Sequence, residues 1–280
     1  MHAMRCSLSR AGRCVPRWAA CAMVAAAASL WADLARDAGT VRIMGEEGRW
    51  AMESALQMEK EADGKTWTVE TAVGYTPAPR VQLLLEPTFW ERSEPVDGPA
   101  VGGMGDTDFT VAFLAIPEDG PWPAVVAAGK VKIPTARSPE IGTGKADGAV
   151  AVILGKEFGE LEVSLELEYE TFGSPETEDA AAPAEEDGAG GDAVAPQETA
   201  HLKDQFIYTL TADYGLTEHL SVYVELFGNT APTEDEGDSN AAGIGLEYDV
   251  ALGEHTNPLL AMSVDTDERV TAKIGVEWNW

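Results

Sequence analysis

Between Leu161 and Tyr169 the chain reads "LEVSLELEY". Leu161, Val163, Leu165, Leu167 and Tyr169 are apolar or aromatic, while Glu162, Ser164, Glu166 and Glu168 are polar. Successive side chains on a strand point to opposite faces, so this segment is a strand with one apolar and one acidic face. The pattern recurs. In "HLSVYVELF" Leu220, Val222, Val224 and Leu226 oppose Ser221, Tyr223 and Glu225; in "QFIYTLTADY" Phe206, Tyr208, Leu210, Ala212 and Tyr214 share a face. "TWTVETAVGY" does the same with Trp67, Val69, Thr71, Val73 and Tyr75. These segments run roughly 9–12 residues, against about 5 or 6 for an ordinary globular strand.

The alternation predicts about 12 strands, near 48–61, 65–76, 79–92, 104–116, 121–134, 147–157, 160–172, 202–214, 217–228, 240–252, 257–265 and 268–280. Their connections fall into two alternating sets. One is mostly long: 93–103, 135–146, 173–201 and 229–239. The other is short: Thr76 to Pro79, Pro117 to Pro121, Lys156 to Glu160 and Gly215 to Glu218. Two members of the long set are short as well, the Asp-Gly hairpin of Ala62 to Lys65 and the turn around Asp265 to Asp267. An even number of long strands, with short turns at one end and longer loops at the other, predicts an all-β fold: a closed antiparallel transmembrane β-barrel with up-and-down meander topology. Lipid requires every backbone N–H and C=O to be paired internally, which a closed sheet achieves. A soluble β-protein shares the alternation and is the competing fold. Strand length, loop asymmetry and aromatics near strand ends (Trp67, Tyr75, Phe89, Trp90, Tyr169, Tyr208, Tyr214, Trp278 and Trp280) favour the barrel.

The first 32 residues depart from this pattern. Arg5, Arg10, Arg13 and Arg17 precede an apolar run from Trp18 to Ala32, with no acid before Asp33. That order of basic, apolar and small residues is a secretory signal over 1–32, with cleavage after Ala28 or Ala32; the run is too short for a spanning helix. All three cysteines, Cys6, Cys14 and Cys21, fall inside it, so the exported part carries no disulfide. The domain reading is therefore a signal peptide, an N-terminal periplasmic segment over 33–47, and a barrel over 48–280 in a Gram-negative outer membrane. No later apolar run is long enough for a membrane helix.

Composition narrows the function. The formal net charge is −29, from 19 Lys+Arg against 48 Asp+Glu, which excludes a nucleic-acid binder needing a basic footprint. Hydrophobic residues make up 45%, too many for an acidic disordered chain. The segment 173–201 is an exception. From Ser174 to Thr199 it holds Ala, Pro, Gly and acids without a base, an external low-complexity loop. Neither it nor Thr233 to Asn240 matches the spacing of a calcium loop.

If the apolar faces meet lipid, the opposite faces line a lumen. They carry Glu53, Glu59, Glu70, Glu86, Asp108, Glu162, Glu166, Glu168, Asp213, Glu225, Glu247, Asp249 and Glu277, with Lys130, Lys132 and Lys273 as the basic partners. Two readings fit: polar residues that fill and solvate the interior, and a negative pore that favours cations as carboxylate rings do. The expected partners are outer-membrane lipid, a small-molecule solute and the barrel-assembly machinery. The last follows from "AKIGVEWNW", where Ile274, Val276, Trp278 and Trp280 share the lipid face and form a terminal assembly signal.

Enzymatic chemistry finds little support. His201, His219 and His255 are isolated, and His219 with Ser221 is the nearest pair, without a third group. There is no GxSxG, phosphate-binding loop or CxxC, so no catalytic residues, metal site or cofactor are expected. A structural or adhesive barrel and a barrel enzyme acting on lipid stand as alternatives to a channel.

Three stretches add a resemblance. "GMGDTDFTVAF" (Gly103 to Phe113), "KVKIPTARSPEIGTGKADGAVAVILGKEFG" (Lys130 to Gly159) and "ADYGLTEHLSVYV" (Ala212 to Val224) resemble the outer-membrane transporter family associated with aromatic meta-cleavage (phenol degradation) pathways. The matching positions are Gly105 and Asp106, then Lys132, Pro134 and Thr135 with Gly142, Gly144 and Asp147, then Tyr214 to Thr217; Ala136 stands where that family usually has Gly. The resemblance covers roughly residues 95 to 280. It implies a barrel and suggests transport of small solutes, including hydrophobic or aromatic compounds, and brings no catalytic residues.

Overall fold

The computed structural model describes residues 48–138, 141–142, 144–172, 204–230, 238–249 and 256–279. The expected signal peptide, the segment 33–47, the acidic loop 173–201, most of Thr233 to Asn240, and Trp280 lie outside the described residues.

Among the described residues thirteen strands form one sheet: β1 (Trp50–Glu61), β2 (Gly64–Ala78), β3 (Val81–Pro95), β4 (Val101–Gly103), β5 (Thr107–Ile116), β6 (Ala124–Ile133), β7 (Asp147–Phe158), β8 (Leu161–Thr171), β9 (Gln205–Gly215), β10 (Leu220–Asn229), β11 (Ser239–Asp249), β12 (Thr256–Asp265) and β13 (Val270–Asn279). Twelve of them close on themselves. β1 pairs antiparallel with β2 on one side and β13 on the other, so that Ala55 faces both Glu70 and Gly275. β2 pairs with β3, β3 with β5, and each later strand with its successor round to β13. β4 is a short addition that pairs with β3 through Glu91↔Gly103, where β3 extends beyond β5.

This is the closed 12-stranded antiparallel barrel that the alternation implies, with strand limits within a few residues of those expected. Two differences have local causes. Asp119 and Trp122 form an isolated bridge that tightens the β5–β6 turn, so β6 begins at Ala124 rather than at 121. β2 and β3 reach 15 residues each: β3 runs past β5 at the long-loop end, where β4 pairs with it, and β2 runs to Ala78 at the short-turn end. Turn chemistry fits the rest. Gly159 has φ +72°, the left-handed conformation that the two-residue β7–β8 hairpin needs. In the β12–β13 turn, Asp265 Oδ1 accepts from the N–H groups of Asp267 (2.9 Å) and Arg269 (3.0 Å), beside Glu268 at φ +61°.

The distribution of polarity is inverted relative to a soluble protein. Phe113, Val150, Val152, Val224, Leu226, Ile244, Leu246, Met262 and Ile274 are exposed, whereas Gln57, Thr68, Glu70, Gln82, Thr110, Lys130, Glu166, Glu168 and Thr209 are buried. A soluble barrel would bury the first set. An apolar belt outside and a polar interior is what a barrel in lipid requires. Exposed aromatics flank this belt: Trp50, which stacks on Tyr75 at 4.5 Å, with Tyr214 and Tyr248 toward one end, and Phe89, Trp90, Tyr169 and Phe206 toward the other.

At the short-turn end, neighbouring hairpins are tied together. The Lys156 ammonium bonds the Glu118 carboxylate and donates to the Gly120 carbonyl at 2.8 Å, while the Glu157 N–H donates to Glu118 at 3.2 Å. The hydrogen bond from Lys156 holds the Glu118 carboxyl below the usual carboxylate range.

Candidate functional site

The interior wall is built from alternate residues of every barrel strand, so its chemistry follows from strand parity and register. On β8 the inward positions are Glu162, Ser164, Glu166, Glu168 and Glu170, and all but Glu162 are buried. Register places Glu168 opposite Ala151 on β7 and Ile207 on β9, with Glu166 opposite Ile153 and Thr209. On β6 the inward Lys130 is only 4% exposed, and its ammonium lies 3.7 Å from Glu168. Glu86 on β3 is buried beside Asp108 on β5, its register partner, and receives a long contact from the Thr110 hydroxyl at 3.5 Å.

The remaining positions expected on the wall distribute as follows. Glu70 is buried on β2, opposite Ala55. Lys273 on β13 is buried and pairs with Glu53 at 2.6 Å. Glu277 and Glu247 are half-buried, and Asp213 accepts a hydrogen bond from the Ser221 hydroxyl at 3.0 Å. Glu225 is half-buried and paired in register with Thr211. Asp249 belongs to β11, though its side chain is outside the described residues. Of the terminal group, Ile274 is exposed on the outer face with Val276 and Trp278 half-buried beside it.

Several wall residues escape an alternation reading. Glu170 is buried at the same parity as Glu168, so extending the count by two residues would have found it. Glu91 required more. A register shift between Val69 and Glu70 on the β2–β3 ladder resets the parity of β3, so that Phe89 and Trp90 are both exposed and Glu91 turns inward beside Asp106. Arg269 lies among three carboxylates, Glu61 at 2.9 Å, Glu59 at 3.2 Å and Asp265 at 3.4 Å, and it joins the two tight hairpins of the long-loop end. The wall is also not polar throughout. Ala112, Leu114, Ala124, Val126, Ala128, Ala151 and Ile153 form a buried apolar cluster on β5, β6 and β7, toward the short turns. The sequence "AVVAAGKVKI" (Ala124 to Ile133) has apolar residues at both parities in its first half, so its inner face is not legible from alternation.

At the long-loop end, three separated motifs converge on Asp106. The Ala136 N–H donates to Asp106 Oδ1 at 2.9 Å, and Lys132 Nζ lies 4.0 Å from Oδ2. Lys132 also makes an ion pair with Asp147. The Thr135 hydroxyl donates to the Gly105 carbonyl at 3.0 Å and lies 3.0 Å from the Thr107 hydroxyl, which is left to act as donor to it. Gly142 sits so close that a Cβ there would be 2.9 Å from both Asp106 oxygens and 2.4 Å from the Ala136 Cβ. Only a glycine lets the loop approach the carboxylate this closely. Ile141, 3% exposed, packs toward Gly103 of β4. The described part of the β6–β7 loop is thus pinned to the rim of the barrel.

Known structures share this architecture. An outer membrane channel, COG4313, from Pseudomonas putida F1 superposes with TM-score 0.60 at 11% identity, over 84% of this chain and 96% of that one. The KdgM porin in complex with disordered oligogalacturonate and the NanC porin each give TM-score 0.50 at 8% identity, over 81% of this chain and 98% of theirs. At such identities the likeness shows the fold, that of outer-membrane porins. No curated protein gives a significant sequence match. The family model described as "Putative MetA-pathway of phenol degradation" matches residues 90–278, which include Glu91, Asp106, the pinned loop and the acidic wall of β8 to β10, and the chain belongs to that family.

Proposed function

We propose that this protein is an outer-membrane channel for small solutes whose acidic interior favours cations over anions. The observation that carries the reading is the makeup of the inner wall. Glu70, Glu86, Glu166, Glu168, Glu170 and Asp147 are all buried there, against Lys130 and Lys273. In a pore walled by low-dielectric protein, such an excess of one sign concentrates counter-ions and repels co-ions. The short turns then face the periplasm and the pinned loop faces outward, the usual orientation for such barrels.

A salt-gradient measurement on the full chain in planar lipid bilayers tests the proposal. A reversal potential on the cation side is expected, and one on the anion side refutes it. Neutralising Glu86 and Glu168 together should move the reversal potential toward zero.

A second reading has its own support. The apolar cluster from Ala112 to Ile153 makes one part of the interior apolar in character, compatible with hydrophobic or aromatic solutes, and the family description names phenol degradation. Under this reading, added phenol or benzyl alcohol reduces the ion current, and Val126→Asn abolishes that reduction. Current indifferent to both additives removes it.

A further inference from the structure

Most barrel lysines meet an acid: Lys130 meets Glu168, Lys132 Asp147, Lys156 Glu118 and Lys273 Glu53. Two others meet each other. Lys60 on β1 and Lys65 on β2 are direct register partners across the first hairpin. Both are exposed, and neither ammonium has a partner among the described residues. Parity puts them on the outer face. Lys60 follows exposed Leu56 and Lys65 precedes Trp67 and Val69, whereas Glu59 and Glu61 turn the other way, to Arg269 at 3.2 and 2.9 Å. Like charges directly opposite on an antiparallel pair have Cβ atoms about 4.5–5.5 Å apart and repel. Arg92 on β3 adds a third cation. It pairs in register with Trp67, two positions from Lys65 on the same face, and its Nε–H donates to Glu94 at 2.8 Å. Glu94 is itself the register partner of Lys65, so this bond draws the guanidinium up to the level of the two ammonium groups. Only Glu94 and the turn residue Asp63 stand against the three cations, which leaves the patch net positive in a chain of net charge −29.

We propose that Lys60, Lys65 and Arg92 bind the phosphate groups of an outer-leaflet glycolipid of the lipid A class, whose acyl chains lie on the apolar wall below. That wall is continuous with the patch. The next row of the register toward the membrane centre holds Met58 and Trp67, and the one after it Leu56, Val69 and Trp90. A ligand that meets both levels carries anionic groups at the head of its acyl chains. The patch lies at the long-loop end, which faces outward in the orientation given above. In a Gram-negative outer leaflet the lipid of that description is an acylated glucosamine disaccharide bearing phosphate esters. Ammonium and guanidinium groups are the side chains suited to phosphate oxygens, with charge-assisted hydrogen bonds. A phosphate between Lys60 and Lys65 removes their repulsion and steadies β1, the strand that closes the ring against β13. The site rests on the outward orientation of the long loops and not on transport.

The test uses the full chain in detergent, with heat-modifiable mobility confirming folding of every variant. Native mass spectrometry follows binding of bis-phosphorylated lipid A to the native protein, to the double variant Lys60→Gln/Lys65→Gln, to Arg92→Gln and to Arg80→Gln, a charge control in the β2–β3 turn at the opposite end. One basic residue at an anionic lipid surface is worth about fivefold, so the double variant should bind roughly 25-fold more weakly. Arg92→Gln should lose about fivefold, and Arg80→Gln should match the native protein. Removing the phosphates from the lipid should weaken native binding and erase its advantage over the double variant. Equal affinity of the native protein and the double variant overturns the site. So does a loss in Arg80→Gln as large as that in Arg92→Gln, because net charge alone is then felt. Phosphatidylglycerol bound as tightly as lipid A overturns the glycolipid, and full competition by inorganic phosphate overturns the lipid. Should the double variant fail to fold, unchanged affinity in Arg92→Gln overturns the site instead. None of these readouts needs an ion current, so failure of the channel reading and failure of this site are seen separately.

Discussion

Replacing Asp106 with Ala should release the β6–β7 loop, and the structure sets the size of the effect. Asp106 accepts the Ala136 N–H at 2.9 Å, a charge-assisted hydrogen bond that contributes about 1.5–3 kcal/mol. Its second contact, Lys132 at 4.0 Å, is partly solvated and adds about 0–1 kcal/mol, and Lys132 retains Asp147 after the change. Losing about 2 kcal/mol of closure free energy raises the open-loop population roughly 30-fold. Opening is confined to the part after Thr135, because the bond from Thr135 to the Gly105 carbonyl does not involve the aspartate side chain.

Trypsin reads this population directly, since Arg137 and Lys145 both lie in the loop. When opening and closing outpace cleavage, the cleavage rate follows the open fraction. Asp106→Ala should therefore be cut roughly 30-fold faster than the native barrel. Asp106→Asn keeps a neutral acceptor at the same place and should fall between the two. Gly142→Ala should act in the same direction by crowding, because its Cβ would be 2.4 Å from the Ala136 Cβ. A cleavage rate for Asp106→Ala within about twofold of native, in a barrel that still shows heat-modifiable mobility, refutes the reasoning.

Three further outcomes follow from other parts of the fold. A Cβ on Gly245 would lie 2.2 Å from the Tyr223 ring, which packs inward from the opposite position on β10, so Gly245→Ala should cost about 1–3 kcal/mol in urea unfolding. The same change should be near neutral once Tyr223 is Ala; equal costs in both backgrounds contradict the packing account. Glu118, whose carboxyl is held below the usual range by Lys156, contributes stability that is present above the unfolded-state value near 4.5 and lost as pH falls through the lower folded-state value. Hydrogen exchange in the 117–123 turn should accelerate on that acidification in the native protein, and show no such step in Lys156→Gln. Deleting Trp280 should lower the yield of heat-modifiable barrel in cells while refolding into detergent is unchanged; equal losses in both settings would rule out a role in assembly.

Period-2 alternation revealed most of the architecture because lipid and lumen impose opposite polarity on successive residues. The strong segments, such as Leu161 to Tyr169, gave both strand and face. Where both faces are apolar, as in Ala124 to Ala128, alternation located the strand and left its inner wall unread. Where a bulge interrupts the count, as on β3, every later residue changes side, so alternation places Glu86 inward and cannot place Glu91. The motifs at Asp106, Lys132 to Thr135 and Gly142 were visible as resemblances, but their meeting in one anchor depends on a loop conformation that no local pattern encodes.

The same limit explains why an acidic inner face could be read without its chemistry. Alternation assigns Glu166 and Glu225 to the lumen and treats them as equivalent members of a negative wall. Register makes them different. Glu168, two residues along from Glu166, has Lys130 at 3.7 Å. Glu166 has Ile153 on one side and Thr209 on the other, neither of which carries a charge. One carboxylate is therefore balanced by a lysine, and its neighbour at the same parity has no charged residue opposite it on either adjacent strand. That distinction arises from which strand lies beside β8, a property of the closed ring rather than of any one segment.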